Sequence, residues 1–295
     1  MPSIQSKLLN VILYLIRMKK TVNRMQERVE QGERTYSEPA PILYKKHLVT
    51  THLENGHKVW TISPKQNPGD KHIIYLHGGA YVNSFSPQHW TFMSKLVERL
   101  NCTVTAPNYP HAPEYFATDT NQLVFDVFRK LAMVAGAPNI TLMGDSSGGG
   151  ISLALAQRVR DEKLEQPRHI ILLSPWLDVT LSNPEIQELD KIDPFLGVEG
   201  LQWSGRAYAR DLDPLSPAVS PLHGSLKALG QISVYIGSRD IFLADCRKLR
   251  EKAKLEDVSI NYREYEGMVH DWMLGPLPES RQALNEIVQT LQSDD

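Results

Sequence analysis

Ser146 lies in residues 144–148 (GDSSG), which match the pattern G-x-S-x-G. Apolar residues at 140, 142 and 143 precede it, and the good helix formers of residues 151–156 follow it. In this strand–turn–helix context, the pattern indicates a nucleophilic serine on a strained turn, and the flanking glycines allow close backbone approach. A Gly/Ser-rich loop or a phosphate cradle is the alternative. A P-loop, however, needs a lysine after the last glycine, and none follows.

A serine hydroxyl is a weak nucleophile that needs a base, and the base needs a group to orient it. Asp240 follows the strand-like residues 233–237, and His270 follows the last predicted strand. The chain order Ser146, Asp240, His270 is that of the α/β-hydrolases and differs from the chymotrypsin and subtilisin orders. Alone, the aspartate could be a helix N-cap and the histidine a surface residue. Together, the three predict a catalytic triad.

Asp245 and Asp271 are rival acids for the triad. Asp245 falls inside a predicted helix. Asp271 is adjacent to His270 in sequence, and we expect it to be poorly placed to reach the imidazole ring. Asp240 is therefore the preferred partner of His270.

Acyl transfer also needs N–H donors where the oxyanion develops. Gly78, Gly79 and Ala80 follow a buried strand and offer unencumbered backbone N–H groups, although a simple glycine turn is the alternative. The N–H of Ser147, directly after the nucleophile, is a further donor. His77, which begins this turn, is interpreted as a residue that braces the loop.

The other histidines raise the question of a metal site, above all His47, His52 and His57. Their spacing of five residues crosses a predicted hairpin, and neither an H-E-x-x-H nor a C-x-x-C motif accompanies them. We therefore expect no metal and no cofactor.

Composition limits the class of protein. The chain has 295 residues and a formal net charge of −2, and it contains no basic run that would suggest nucleic-acid binding. One large domain is expected from this length. Cys102 and Cys246 are isolated in sequence and are interpreted as reduced thiols, which favours a reducing compartment and a cytoplasmic location.

Residues 8–16 are apolar, with Lys7 before them and Arg17, Lys19 and Lys20 after them. The run is too short to span a bilayer, and a signal peptide would carry its charge before the run and a cleavage site after it. Apolar spacing continues to Val29, which predicts a long amphipathic helical segment over residues 4–30, retained in the mature protein without stable membrane insertion. Docking on a membrane surface is the alternative.

The rest of the chain alternates strands with helices, which predicts βαβ units and a mainly parallel sheet covered by helices on both faces. Residues 44–51 and 58–63 are strand-like, and the Asn55-Gly56 pair between them predicts a hairpin turn. Residues 178–225 break the alternation, with one helical patch near residues 198–209, and are interpreted as an insertion.

These motifs resemble the hormone-sensitive-lipase-like α/β-hydrolases, microbial esterases of the fold-3 type. The similarity spans roughly residues 70–290 and includes weaker matches at residues 108–114 and 174–178. The matching segments are residues 77–80, residues 144–149, residues 237–240 and His270.

The resemblance implies an α/β-hydrolase fold with a mostly parallel eight-stranded sheet, flanking helices and a helical cap. Residues 41–177 and 226–295 would form the core, while residues 1–40 and the insertion of residues 178–225 would form the cap. It further implies hydrolysis of short- to medium-chain acyl esters through an acyl-enzyme on Ser146, without a cofactor. The partner would be a small-molecule ester, and a homodimer through an edge strand is a further expectation.

Departures from the family pattern concern selectivity. Ala80 stands where many members have a third glycine, Ser147 where many have alanine, and Asp271-Trp272 where Gly-Phe is common. An amidase, formamidase or thioesterase would use the same triad, and a long-chain lipase is a further alternative. A non-catalytic small-molecule receptor on this scaffold is another, although such receptors typically lack a triad member.

Overall fold

Eight strands form a single sheet in the computed structural model, which describes residues 1–293. They are β1 (Leu48–Glu54), β2 (His57–Ser63), β3 (His72–Leu76), β4 (Thr103–Pro107), β5 (Ile140–Asp145), β6 (His169–Leu173), β7 (Gln231–Gly237) and β8 (Ile260–Tyr265). Their order across the sheet is β1-β2-β4-β3-β5-β6-β7-β8. The β1–β2 and β2–β4 pairings are antiparallel, and the others described are parallel. The prediction of a mostly parallel eight-stranded sheet is confirmed.

Eleven α-helices are described within residues 1–293. They are α1 (Ile4–Leu15), α2 (Met18–Asn23), α3 (Met25–Glu30), α4 (Pro41–Lys46), α5 (Pro87–Leu100), α6 (Ala117–Ala135), α7 (Ser146–Asp161), α8 (Ile186–Ile192), α9 (Val198–Ala209), α10 (Leu243–Leu255) and α11 (Pro278–Gln292). Within the described residues, no helix combines the length and the apolar character that crossing a bilayer requires.

The sheet is covered on both faces, as a parallel sheet requires. Successive residues of a strand point to opposite sides. In β3, Ile74 and Leu76 join the larger apolar cluster, which includes residues of α6, α7 and α10. Ile73 and Tyr75 join the second cluster, formed with α5 and α11. The carboxyl ends of the central strands are thereby held rigidly.

The antiparallel hairpin at the sheet edge has the predicted turn. Asn55 and Gly56 both have positive φ, 48° and 84°. The strand before the turn begins later than predicted, because residues 41–46 form α4. Pro41 occupies the first helical turn, where its fixed φ favours a helix start, and Leu43 is buried.

The helical segment predicted over residues 4–30 consists of three helices, α1 to α3. Arg17 adopts a left-handed conformation (φ 54°) directly after α1, and Arg24 separates α2 from α3. These breaks turn the chain so that Val22 and Val29 are buried where α2 and α3 pack on α9. A tertiary contact therefore overrides the continuous helical periodicity.

The insertion between β6 and β7 contains two helices. α9 has the residues predicted for it, whereas α8 was not predicted. α8 is only 7 residues long and begins just after Pro184, so its sequence carries little periodic signal. Ile186, in its first turn, is nevertheless buried.

Candidate active site

Ser146 stands at the junction of β5 and α7. Its φ is +51°, a strained value for a residue with a Cβ. A Cβ on Gly148 would collide with the carbonyl groups of Leu76 and His77, and one on Gly144 would collide with the backbone of Gly148. The two glycines of the pentapeptide are therefore needed for close approach, as the sequence predicts. Ser146 itself is buried.

The structure brings Asp240 and His270 together. Asp240 follows β7, and its Oδ2 lies 2.8 Å from Nδ1 of His270. Its Oδ1 accepts a hydrogen bond from the N–H of Phe242 at 3.0 Å. Asp240 and His270 are both buried. The ring centroids of Phe195 and Phe242 lie 5.7 Å and 5.3 Å from the centroid of the imidazole ring. This carboxylate can fix the imidazole tautomer that carries a proton on Nδ1.

Nε2 of His270 faces Asp271, whose Oδ2 lies 3.2 Å away. The expectation that Asp271 reaches the ring poorly is wrong, because its φ of +51° bends the chain back toward the imidazole. Within residues 1–293, no hydrogen bond joins Ser146 Oγ to His270. His270 is thus held between two carboxylates in this structure.

These carboxylates control the charge of His270. Burial disfavours the imidazolium, but Asp271 and Asp240 outweigh burial and raise the pKa of His270 well above its ordinary value. Burial raises the pKa of Asp271 to about 6, with a contribution from Asp145 and against the opposing effect of His270. The two carboxylates therefore favour the imidazolium form of His270 over the neutral imidazole.

Asp145, the residue before Ser146, is the centre of a buried network that was not predicted. It accepts hydrogen bonds from the Tyr75 hydroxyl (2.6 Å) and the Gly78 N–H (2.9 Å), and its Oδ2 lies 3.1 Å from Nε2 of His89. Burial opposes ionisation of Asp145, but His89 and the hydrogen bond from Tyr75 outweigh burial and lower the pKa of the carboxyl. The sequence does contain one indication of this network, because Asp145 is an ionisable residue at the end of an apolar strand.

The network changes the expected oxyanion donors. The Gly78 N–H already donates to Asp145, so the expectation that it stabilises an oxyanion is corrected. The N–H groups of Gly79 and Ala80 have no hydrogen-bond acceptor within residues 1–293. Ser147 lies in the first turn of α7, where N–H groups lack helical acceptors. Three of the four predicted donors therefore remain available.

His77 and Ser147 hold the loop that carries these donors. The His77 ring stacks on Tyr109 with centroids 4.2 Å apart, and the Tyr109 hydroxyl donates to the His77 carbonyl at 2.5 Å. Oγ of Ser147 accepts a hydrogen bond from the Tyr81 N–H at 3.3 Å. Both side chains therefore brace the loop.

The other candidates lie outside this arrangement. Asp245 is buried and accepts a hydrogen bond from Asn183 at 3.0 Å, and burial raises its pKa to about 6. His47 is buried with Nε2 2.7 Å from Ser94 Oγ. In the part of the chain that the structure describes, no group of three or more His, Cys, Asp or Glu side chains could hold a metal ion.

Comparison with known proteins identifies the family of the chain. The model of a family described as "alpha/beta hydrolase fold" matches residues 73–274. An esterase of Acinetobacter venetianus is 34% identical over 227 residues, covering 76% of this chain and 75% of the relative. The ethyl acetate hydrolase of Pseudomonas putida is 27% identical over 236 residues, covering 75% of this chain and 72% of the relative.

The fold is shared with a solved hormone-sensitive lipase from a metagenome library. The two superpose with a TM-score of 0.84 at 23% identity, covering 98% of each chain. The family match alone extends over more than half of the chain. The chain therefore belongs to the alpha/beta hydrolase fold family.

Proposed function

We propose that the protein is a serine carboxylesterase that hydrolyses short- to medium-chain acyl esters through an acyl-enzyme on Ser146. Two observations carry this proposal together: the 2.8 Å contact between Asp240 Oδ2 and His270 Nδ1, and the positive φ of Ser146 at a strand–helix junction. An imidazole oriented in this way can act as the base that a serine nucleophile needs.

In the proposed first step, Nε2 of His270 accepts the Ser146 proton while Oγ attacks the ester carbonyl carbon. Asp240 keeps the Nδ1 proton in place and stabilises the imidazolium that forms. The tetrahedral intermediate then expels the alkoxide, which takes the proton from Nε2 and leaves as the alcohol. Water, deprotonated by the same nitrogen, hydrolyses the acyl-enzyme and frees the acid.

The negative charge of the tetrahedral oxygen needs fixed donors. We assign this role to the N–H groups of Gly79, Ala80 and Ser147, since the Gly78 N–H is engaged with Asp145. A single donor of this kind contributes about 3 kcal/mol to transition-state stabilisation. The brace between Tyr81 and Ser147 holds the donors from the two segments close to each other.

We assign the cap to residues 1–40 and 178–225, and the core to residues 41–177 and 226–295, of which residues 294 and 295 lie outside the part that the structure describes. Packing of α2 and α3 on α9 supports one cap built from two distant segments. The insertion also reaches the triad, because Asp193 Oδ2 accepts a hydrogen bond from the Ile241 N–H at 3.0 Å. A cap in this position would limit acyl-chain length, and the name of the Pseudomonas putida relative supports short acyl esters.

A chain-length series of p-nitrophenyl esters, from acetate to palmitate, tests the proposal. We expect turnover to peak at short chains and to be lost in Ser146→Ala. A fluorophosphonate probe should label the wild type and the matched control Ser182→Ala, which changes an exposed serine, but not Ser146→Ala. Equal labelling of Ser146→Ala would refute the assignment, and faster turnover of p-nitroanilides or thioesters would change the substrate class.

The expected homodimer remains a prediction. β1 and β8 are the two edges of the described sheet, and each offers unpaired backbone groups to a second copy. Sedimentation equilibrium of the full chain distinguishes a monomer from a dimer.

A further inference from the structure

α1 exposes apolar side chains on the side that faces away from the protein. Ile4 and Leu15 retain 82% and 76% of their accessible surface, and Leu8 and Val11 more than half. Spacings of three and four residues place these side chains along one side of the helix. We name this row the outer ridge; it consists of Ile4, Leu8, Val11, Ile12 and Leu15.

The opposite side of α1 is fixed to the protein. Ser6 and Leu13 are buried, and the side-chain amide of Asn10 donates to the Gly267 carbonyl at 3.2 Å. The N-cap Ser3 donates its N–H to Glu279 at 2.6 Å. A surface helix usually turns its apolar side inward, whereas α1 is held with apolar residues outward. The outer ridge is thus an uncovered face.

The charge around the outer ridge is positive. Residues 1–26 contain five Lys and Arg residues and no Asp or Glu. Lys19 pairs with Asp190 and Arg24 with Glu27. Within residues 1–293, Lys7, Arg17 and Lys20 have no carboxylate partner. Two acids lie near the start of α1: Glu279 accepts the Ser3 N–H, and Glu266, largely exposed, lies 3.7 Å from the N-terminal amine.

We propose that the outer ridge docks on the surface of an anionic lipid bilayer, with Lys7, Arg17 and Lys20 facing the lipid phosphates. A helix of 12 residues is about 18 Å long, which is too short to span the hydrocarbon core, so it lies in the interface. Apolar burial and attraction to anionic headgroups then act together.

A second copy of the chain fits this surface less well. A two-fold symmetric contact would bring the same three unpaired cations of both copies together, and nothing acidic lies on the ridge to offset them. An anionic bilayer supplies the opposite charge.

Docking would place the catalytic loops beside the membrane. Arg239, the neighbour of Asp240, donates to the Tyr14 hydroxyl of α1 at 3.1 Å. Gly267, which holds Asn10, lies three residues before His270. Lipid binding itself needs no ester hydrolysis, so the docking proposal and the proposed function are tested separately.

Co-sedimentation of the full chain with phosphatidylglycerol/phosphatidylcholine vesicles tests the docking. We expect binding to these vesicles, weak binding to phosphatidylcholine alone, and release at about 0.5 M salt, where charges are screened. Leu8→Gln/Leu15→Gln should weaken binding at least tenfold. The matched control Met133→Gln/Val134→Gln changes two exposed apolar residues of α6 and should bind as the wild type does.

The same vesicle-binding experiment is repeated with variants that each remove one positive charge near the outer ridge. Lys7→Gln, Arg17→Gln and Lys20→Gln should each weaken binding about fivefold, and this arm remains informative if the ridge variant fails to fold. Circular dichroism and the unfolding temperature report folding. The proposal is wrong if the wild type does not bind anionic vesicles. It is equally wrong if the ridge variant Leu8→Gln/Leu15→Gln binds them as tightly as the control Met133→Gln/Val134→Gln. It is also wrong if the wild type is a dimer that the ridge variant dissociates.

Discussion

The contact between His270 and Asp271 makes a specific prediction for pH dependence. The Asp271 carboxylate lies 3.2 Å from Nε2, the nitrogen that must accept the Ser146 proton in the proposed mechanism. As an anion it stabilises the imidazolium, which is the inactive form of the base. Removing its charge in Asp271→Asn should therefore lower the pKa of His270 and move the acid limb of kcat/KM to lower pH.

The distance between Asp271 and His270 sets the expected size of the change in the pKa of His270. At 3.2 Å and an effective dielectric constant of about 20, the Coulomb attraction is about 5 kcal/mol, an upper limit for the lost interaction. Opposite charges at such distances usually shift a pKa by about 1 to 3 units, and one unit corresponds to about 1.4 kcal/mol. Because the pKa of Asp271 itself is about 6, part of its charge is already lost in mildly acidic solution. We therefore expect a shift of about 1 to 2 units.

The assay is kcat/KM for p-nitrophenyl acetate from about pH 5 to about pH 9, which reports groups of the free enzyme. Asp271→Gly is the companion variant, since glycine accepts the positive φ of this position and also lacks the charge. Asp211→Asn removes an acid that is 93% exposed and serves as the matched control. An acid limb that stays in place, or moves to higher pH, in both variants would refute the reasoning.

Three further predictions concern the triad, the buried network and the cap. Asp240→Asn should lower kcat roughly 10⁴-fold through the wrong imidazole tautomer, and wild-type turnover in this variant would remove Asp240 from the triad. His89→Ala should lower the free energy of unfolding by about 3 kcal/mol in urea titrations, because it removes a buried ring and the hydrogen bond between His89 Nε2 and the Asp145 carboxylate; a loss below about 1 kcal/mol would contradict this role of His89. Gly200→Ala should separate α2 from α9, because its Cβ would collide with the Val22 carbonyl, and so raise proteolytic cleavage within residues 1–40. Cleavage at the wild-type rate would count against this cap packing.

Much of the fold follows from local sequence. The helical and strand periodicities locate the α/β alternation, and the Asn55-Gly56 turn is found where two residues that tolerate positive φ adjoin. The break at Arg17 was not predictable, because arginine has no local preference for a left-handed conformation. The turn between α1 and α2 accompanies the packing of α2 on α9, which buries Val22.

The sequence by itself was enough to predict which residues form the candidate triad and the oxyanion loop. The order of Ser146, Asp240 and His270 along the chain and the spacing of the glycines around Ser146 can both be read directly from the sequence. The family match agrees with that assignment of fold.

The tertiary structure alone decided which groups face each other. Asp145 takes the Gly78 N–H because β3 and β5 are adjacent, and this pairing removes one donor that the loop sequence offers. Asp271 faces Nε2 of His270 because a single left-handed residue reverses the chain direction. The apolar row of α1 points outward because the other side of the helix is bound to the loop before His270. Distances between residues remote in sequence, and the direction of each side chain, arise from packing, which no local pattern encodes.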